Sequence, residues 1–202
     1  MKPNAYLLVF DGLADWEPGL AMAEINKSKL YKVITVGLST ATITTMGGIR
    51  VVPDITIDQV VPDEAAVFIM PGGDMWEQKT DERISLLLNQ LHARRVLVAA
   101  ICGATLGLGR AGLLRVARHT SNALGYLKAM VPNYDADHRY VEQLAVSDNS
   151  IITASGLGNI EFAHEIIRQL EIYNEEDLRV WFDMFKHGVI PKAMQQEMGG
   201  SQ

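Results

Sequence analysis

The chain has 202 residues, a net charge of −6, 48% hydrophobic side chains and one cysteine. That length suits a single domain, at about 100–200 residues each, with a core large enough to need no disulfide or metal staple, and one cysteine excludes a disulfide-built scaffold. The mildly acidic balance argues against a nucleic-acid partner, and with no apolar run of about 18 residues and no signal-peptide pattern at the start, a cytoplasmic protein with no membrane partner is expected.

The first apolar run, residues 5–10, is nearly continuous rather than alternating, as in a strand covered on both faces. It ends at Phe10, which puts Asp11, Asp15 and Glu17 at its carboxyl end. Pro18 suits the first position of a helix, so Glu17 is expected at the N-cap. Residues 32–38 form a second run of the same kind. Residues 48–57 read as an extended arm with Val51, Ile55 and Ile57 as its apolar positions. A third strand, residues 66–70, runs into Pro71-Gly72-Gly73. The spacing of Ile84, Leu87, Leu88 and Leu91 predicts an amphipathic helix after it. A fourth run, residues 95–99, leads into Cys102, Gly103 and a helix of small residues. Residues 140–146 and 150–154, the latter being the fifth run, flank Ser147-Asp148-Asn149 as a hairpin. Ile160, Ala163, Ile166, Ile167 and Leu170 repeat at helical spacing. So do Leu178, Trp181, Phe182 and Phe185, a stripe that serves core or subunit packing. A single domain is expected over residues 1–190, with a flexible tail over 191–202. Strands alternating with helices predict an α/β fold: a three-layer sandwich around a mostly parallel sheet.

In a parallel sheet the strand carboxyl ends share one edge, and ligands bind there. Cys102 stands at that edge, where a strand turns directly into a helix. The unpaired amides and dipole of a helix start favour a thiolate and lower the pKa of a thiol. Gly103 permits close approach, and its amide can face a developing oxyanion. Gly73, at the end of the neighbouring strand, can supply a second amide. A lone cysteine is more commonly a small buried hydrophobe, but the strand-end position and the glycine after it weigh for function. Glu17 is a helix cap in its plain reading and a hydrogen-bonding partner of Cys102 in the functional one. Of five histidines, His92 and His164 lie in helical patterns, His187 near the tail and His138 in a polar loop. Only His119 is placed to approach the edge. No spacing suggests a zinc site or a nucleotide loop, so neither metal nor cofactor is expected.

Four segments in order resemble the PfpI/ThiJ family, which includes the parkinsonism-associated protein and belongs to the class I glutamine amidotransferase-like superfamily. They are Asp15-Trp16-Glu17, Met70-Pro71-Gly72-Gly73-Asp74, Ala100-Ile101-Cys102-Gly103-Ala104, and the stretch from Ala154-Ser155-Gly156 to Ala163. The resemblance runs from Tyr6 to about Leu170. It implies a flavodoxin-like sandwich, a homodimer, Cys102 as the elbow nucleophile, Glu17 as its acidic partner, and Gly73 and Gly103 as amide donors. Relatives commonly carry Thr-Thr-His or Thr-Ser-His where this chain reads Thr120-Ser121-Asn122, so Asn122 stands in place of the histidine that assists the cysteine. His119 lies three residues earlier, and an odd offset in an extended strand points to the opposite face. His119 would serve only if the segment turns. Otherwise Glu17 and Cys102 act as a dyad, with Asn122 donating to substrate or oxyanion, and without a general base whose contribution is typically ~10²–10⁴-fold.

The resemblance implies an enzyme acting through Cys102 on a small carbonyl, amide or related substrate. Hydrolase, amidase, glyoxalase or deglycase, and isocyanide-hydratase chemistries fall within it. Two alternatives stand beside it: a redox or stress protein whose Cys102 is oxidised to a sulfinate, and an amidotransferase-like binding subunit.

Overall fold

The computed structural model describes residues 2–78, 81–192 and 195–196. Strand β1 (Asn4–Val9) leads into α1 (Trp16–Ser28), β2 (Lys32–Gly37) and a small hairpin of β3 (Ile43–Thr44) and β4 (Arg50–Val51). Next come β5 (Ile55–Thr56), β6 (Ala65–Met70), α2 (Glu82–Ala93), β7 (Leu97–Ile101) and α3 (Thr105–Arg110). The order closes with α4 (Leu124–Met130), β8 (Ala145–Asp148), β9 (Ile151–Ala154), α5 (Asn159–Gln169) and α6 (Glu175–His187).

Seven strands form one sheet in the order β5-β2-β1-β6-β7-β9-β8, parallel except where β8 meets β9. Successive side chains leave opposite faces of a strand, and two cores result. Phe68, Met70, Val98 and Ala100 join Leu88, Leu106 and Leu127 from α2, α3 and α4. Ile69, Ala99 and Ile101 join Ile25, Phe162 and Trp181 from α1, α5 and α6. Both faces of β6 and β7 are thereby covered, which is why their sequences are continuously apolar. This is the α/β flavodoxin-like sandwich that the sequence predicts.

Several boundaries differ. The fourth strand begins at Leu97, two residues late, because Arg95 (φ +58) and the Val96 N–H to Leu91 carbonyl bond still close α2. The arm over 48–57 divides: β4 pairs back on β3, while β5 joins the sheet beside β2. The β8–β9 hairpin turns at Asn149-Ser150, both at positive φ, which matches the twist of a two-residue hairpin loop. Its first arm starts at Ala145 rather than at 140. In the stripe on α6, Leu178 and Trp181 are buried in the core beside α5, while Phe185 is exposed. Of the tail expected over 191–202, residues 193, 194 and 197–202 lie outside the described residues. Among the described residues no helix is long and apolar enough to cross a membrane.

Candidate active site

The site is built on the carboxyl ends of β1, β6, β7 and β9. Buried β7 ends at Ile101, clamped between β6 and β9. Cys102 follows at φ +59, a left-handed backbone costing a non-glycine residue on the order of 1–3 kcal/mol and found at functional turns. A single tight turn, Cys102–Ala104, then enters α3. The Thr105 hydroxyl donates to the Cys102 carbonyl at 2.8 Å and shares a 2.7 Å bond with the Ser121 hydroxyl. That ties the elbow to the segment carrying Asn122. Buried Trp76 packs beneath: a Cβ at Gly103 or Gly107 would stand 3.3 or 2.6 Å from it. Gly107 in α3 and Gly103 before it therefore serve packing against this indole. The Trp76 indole donates to the Pro71 carbonyl at 2.8 Å, joining the Gly72 turn to the elbow.

Glu17 is the second residue of α1 and not its N-cap. Asp15 takes that position, with its carboxylate turned to the hairpin, where it accepts from the Thr45 hydroxyl at 2.5 Å and the Gly47 N–H at 3.2 Å. Glu17 is only 1% exposed. Its Oε2 accepts the Gly72 N–H at 2.6 Å, and the carboxyl lies beside the Cys102 side chain, both facing Gly72. Two glycines close on this pair. A Cβ at Gly72 would lie 2.7 Å from both Cys102 Cβ and Glu17 Oε2, and one at Gly156 would lie 3.0 Å from the Cys102 sulfur. Asn122 completes the shell. Its Oδ1 accepts the Gly156 N–H at 2.9 Å, which leaves Nδ2 facing the Cys102 Sγ at 3.3 Å.

Burial pushes the Glu17 carboxyl up, against the pull of the Gly72 N–H and Cys102. Burial also pushes the Cys102 thiol up. The Asn122 amide draws it back, the Glu17 charge adds to the rise, and the Gly103 N–H draws it back again. The depressed thiol expected from the helix start is thus corrected: α3 has only six residues, and desolvation beside a carboxyl outweighs its amides. Neighbouring acids resist double ionisation, so charge on Glu17 favours the proton on Cys102.

Of the residues singled out in the sequence, Cys102, Glu17, Gly103 and Asn122 come together. His119 does not join them. It is fully buried, with Nδ1 on the Ala117 carbonyl at 2.9 Å and Nε2 on the Tyr134 hydroxyl at 2.6 Å. Its ring also meets Tyr134 and Tyr140 edge-on. Gly73, at φ +149, packs against Gly12, Phe10 and Leu13, and it is Gly72 that reaches the thiol. Gly72 and Gly156 were passed over although both lie inside the matching segments. What distinguishes them is close approach, which a sequence does not display. Also unforeseen is the bond from the Tyr126 hydroxyl to Glu77 Oε1 at 3.1 Å, which joins α4 to the turn bearing Trp76. Among the described residues no group of three or more His, Cys, Asp or Glu could hold a metal ion.

The sequence model of the DJ-1/PfpI family matches residues 3–169. A Bacillus subtilis (strain 168) protein named "Uncharacterized protease YoaZ" is 37% identical over 190 residues, covering 91% of this chain and 90% of that one. The crystal structure of a thiJ/pfpI family protein from Bacillus anthracis superposes with a TM-score of 0.89 at 36% identity, over 98% of this chain and 97% of that one. A DJ-1 superfamily protein from Agrobacterium tumefaciens, Atu0886, gives a TM-score of 0.84 at 32% identity, over 91% and 97% of the two chains.

Proposed function

The chain belongs to the DJ-1/PfpI family, and on that premise we propose that it is a cysteine-dependent enzyme acting on a small carbonyl, amide or related compound. Cys102 is its nucleophile and Glu17 the acidic partner. One observation carries the reading: a half-buried sulfur on a strained elbow, beside a buried carboxyl, bonded by an amide donor and flanked by two glycines. In the first step the Cys102 Sγ bonds to the carbonyl carbon, and the C=O π pair moves onto oxygen. The proton of the thiol passes to that oxygen, relayed by the Glu17 carboxyl. With His119 engaged elsewhere, proton transfer rests on Glu17, whose raised pKa keeps its proton available closer to neutral pH. Asn122 Nδ2 and the Gly103 N–H are the donors nearest the sulfur and support the reading as stabilisers of developing negative charge.

Methylglyoxal and aryl amides are the first substrates to assay, the latter prompted by the relative named as a protease. Turnover lost in Cys102→Ser is the expected result; turnover retained removes Cys102 from the mechanism. The reading includes a cytoplasmic homodimer. Exposed Trp16 and Leu157, sequence neighbours of Glu17 and Gly156, suit an interface.

A second reading, oxidation of Cys102 to a sulfinate, is favoured by the absence of another cysteine to resolve a sulfenate within the chain. Two oxygens added to Cys102 by mild peroxide, with no turnover of either substrate, would decide for it.

A further inference from the structure

A cleft of about 270 Å³ opens beside the thiol, between residues 120–122, residues 140–144 and Ser155. Two contacts fix it to the reacting atom. Asn122 lines the cleft and holds Nδ2 at 3.3 Å from the Cys102 Sγ. Ser155 also lines it, and the next residue, Gly156, closes on that sulfur from the other side. The larger cavity, about 690 Å³ near Asn4 and Lys32, lies at the amino ends of β1 and β2, away from this edge.

The lining mixes polar and apolar surface, and its charge is of one sign. Thr120, Asn122, Tyr140, Gln143 and Ser155 line it beside Leu144, and among its described lining residues Glu142 alone is charged. Each hydroxyl has capacity beyond its present bond; that of Thr120, for instance, donates to the Gln143 carbonyl at 2.8 Å. The volume falls just below that of pockets for drug-sized ligands, about 300–1,000 Å³, so a compound of a few carbons fits. An anionic substrate would meet Glu142 here and Glu17 at the thiol. Arg110, on the far side of the elbow, is committed to the Trp76 carbonyl at 2.6 Å and the Met130 carbonyl at 3.4 Å.

Resting on the reading of Cys102 as the reacting atom, we propose that this cleft is the substrate-recognition site. It takes small non-anionic compounds bearing hydroxyl or amide groups, and Glu142 is the specificity determinant that turns carboxylates away.

Because Cys102 is the chain's single cysteine, alkylation reads one atom. The test compares neutral iodoacetamide with anionic iodoacetate at low ionic strength, using the wild type, Glu142→Gln and Glu142→Lys. Glu142 is exposed, so neither substitution disturbs the core. The preference for the neutral reagent should fall about fourfold in Glu142→Gln and on the order of tenfold in Glu142→Lys, as for a unit charge roughly 10 Å away in a half-open site. A preference unchanged in both variants overturns the proposal, as does an equal change in both rates, which would put the effect on the thiol. In parallel, the wild type should consume methylglyoxal in preference to glyoxylate. If neither is consumed while the alkylation preference still shifts, the enzyme reading fails and the cleft assignment stands. If Cys102-dependent turnover is found and the preference does not shift, the reverse holds.

Discussion

Asn122 stands where the family resemblance leads one to expect a histidine, and the two side chains would do different work. An imidazole takes a proton; a carboxamide whose oxygen is held by the Gly156 N–H can only donate through nitrogen to the Cys102 sulfur. That donation opposes the desolvation that pushes the thiol up. Asn122→Ala therefore raises the thiol pKa further, leaves less thiolate at neutral pH and slows iodoacetamide alkylation. The slowing should be about threefold to tenfold, what an ordinary hydrogen bond of about 0.5–1.5 kcal/mol is worth, because the site is half open. A pH–rate profile checks it: the midpoint moves upward in Asn122→Ala, and an unmoved midpoint removes Asn122 as a thiolate donor. The identities of Cys102, Glu17 and Asn122 were legible in the sequence, because strand-end position and matching segments name them. The direction of the thiol shift was not, because it depends on how deeply Glu17 and the sulfur are buried together. That His119 faces away was legible in its odd offset from Asn122; its hold on Tyr134 was not, because Tyr134 lies in a stretch that reads only as loop.

The elements divide by length in how well the sequence reveals them. Runs such as β1, β6 and β7 announce themselves because both faces are covered, and α5 shows its period over eleven residues. The two-residue strands β3, β4 and β5 have no period to read: Asp11 and Asp15 hold the β3–β4 hairpin against the start of α1, and β5 is set by its pairing with β2. The glycines at element ends carry the geometry of the site. At Gly72 a methyl would meet Cys102 Cβ and Glu17 Oε2 at 2.7 Å, and neither can retreat, since one sits on a clamped elbow and the other inside α1. Gly72→Ala is expected to abolish Cys102-dependent turnover and to cost about 1–3 kcal/mol of stability by overpacking. Gly19, within α1, meets nothing within 4 Å. Gly19→Ala should instead stabilise by about 0.5–1 kcal/mol, since the substitution only removes backbone freedom from the unfolded chain. Thermal melts of the two variants, set beside their activity, separate crowding at the site from a general intolerance of alanine.

Across the whole molecule, α1 joins two buried acids with opposite demands. Glu24, 2% exposed, ties the amino-terminal helix to the carboxyl-terminal part of the chain, where the Tyr173 hydroxyl donates to Oε2 at 2.5 Å and Lys27 sits at 3.0 Å. Burial alone would push its carboxyl up, but Tyr173 and Lys27 together hold it below the ordinary range. Such a group stabilises the fold above the unfolded glutamate pKa of about 4.3, and that stability is lost as the pH falls through its lower folded value. Glu17 is raised, so it runs the other way: the folded chain holds its proton more tightly, and stability falls as the pH rises through the raised value. Tyr173→Phe should therefore lower the melting temperature most at neutral pH, by the equivalent of about 1.5–3 kcal/mol for a bond to a charged group, with the loss shrinking in acid. Glu17→Gln keeps an acceptor for the Gly72 N–H and removes the buried charge. It should raise the melting temperature at neutral pH, with the gain vanishing below about pH 4.3, where both states are protonated. Melts of both variants from acid to neutral pH check the two signs together. A Glu17→Gln gain that persisted in acid would trace to packing, whereas one that fades identifies the buried carboxyl as a site held against the stability of the fold, as a group retained for its chemistry would be.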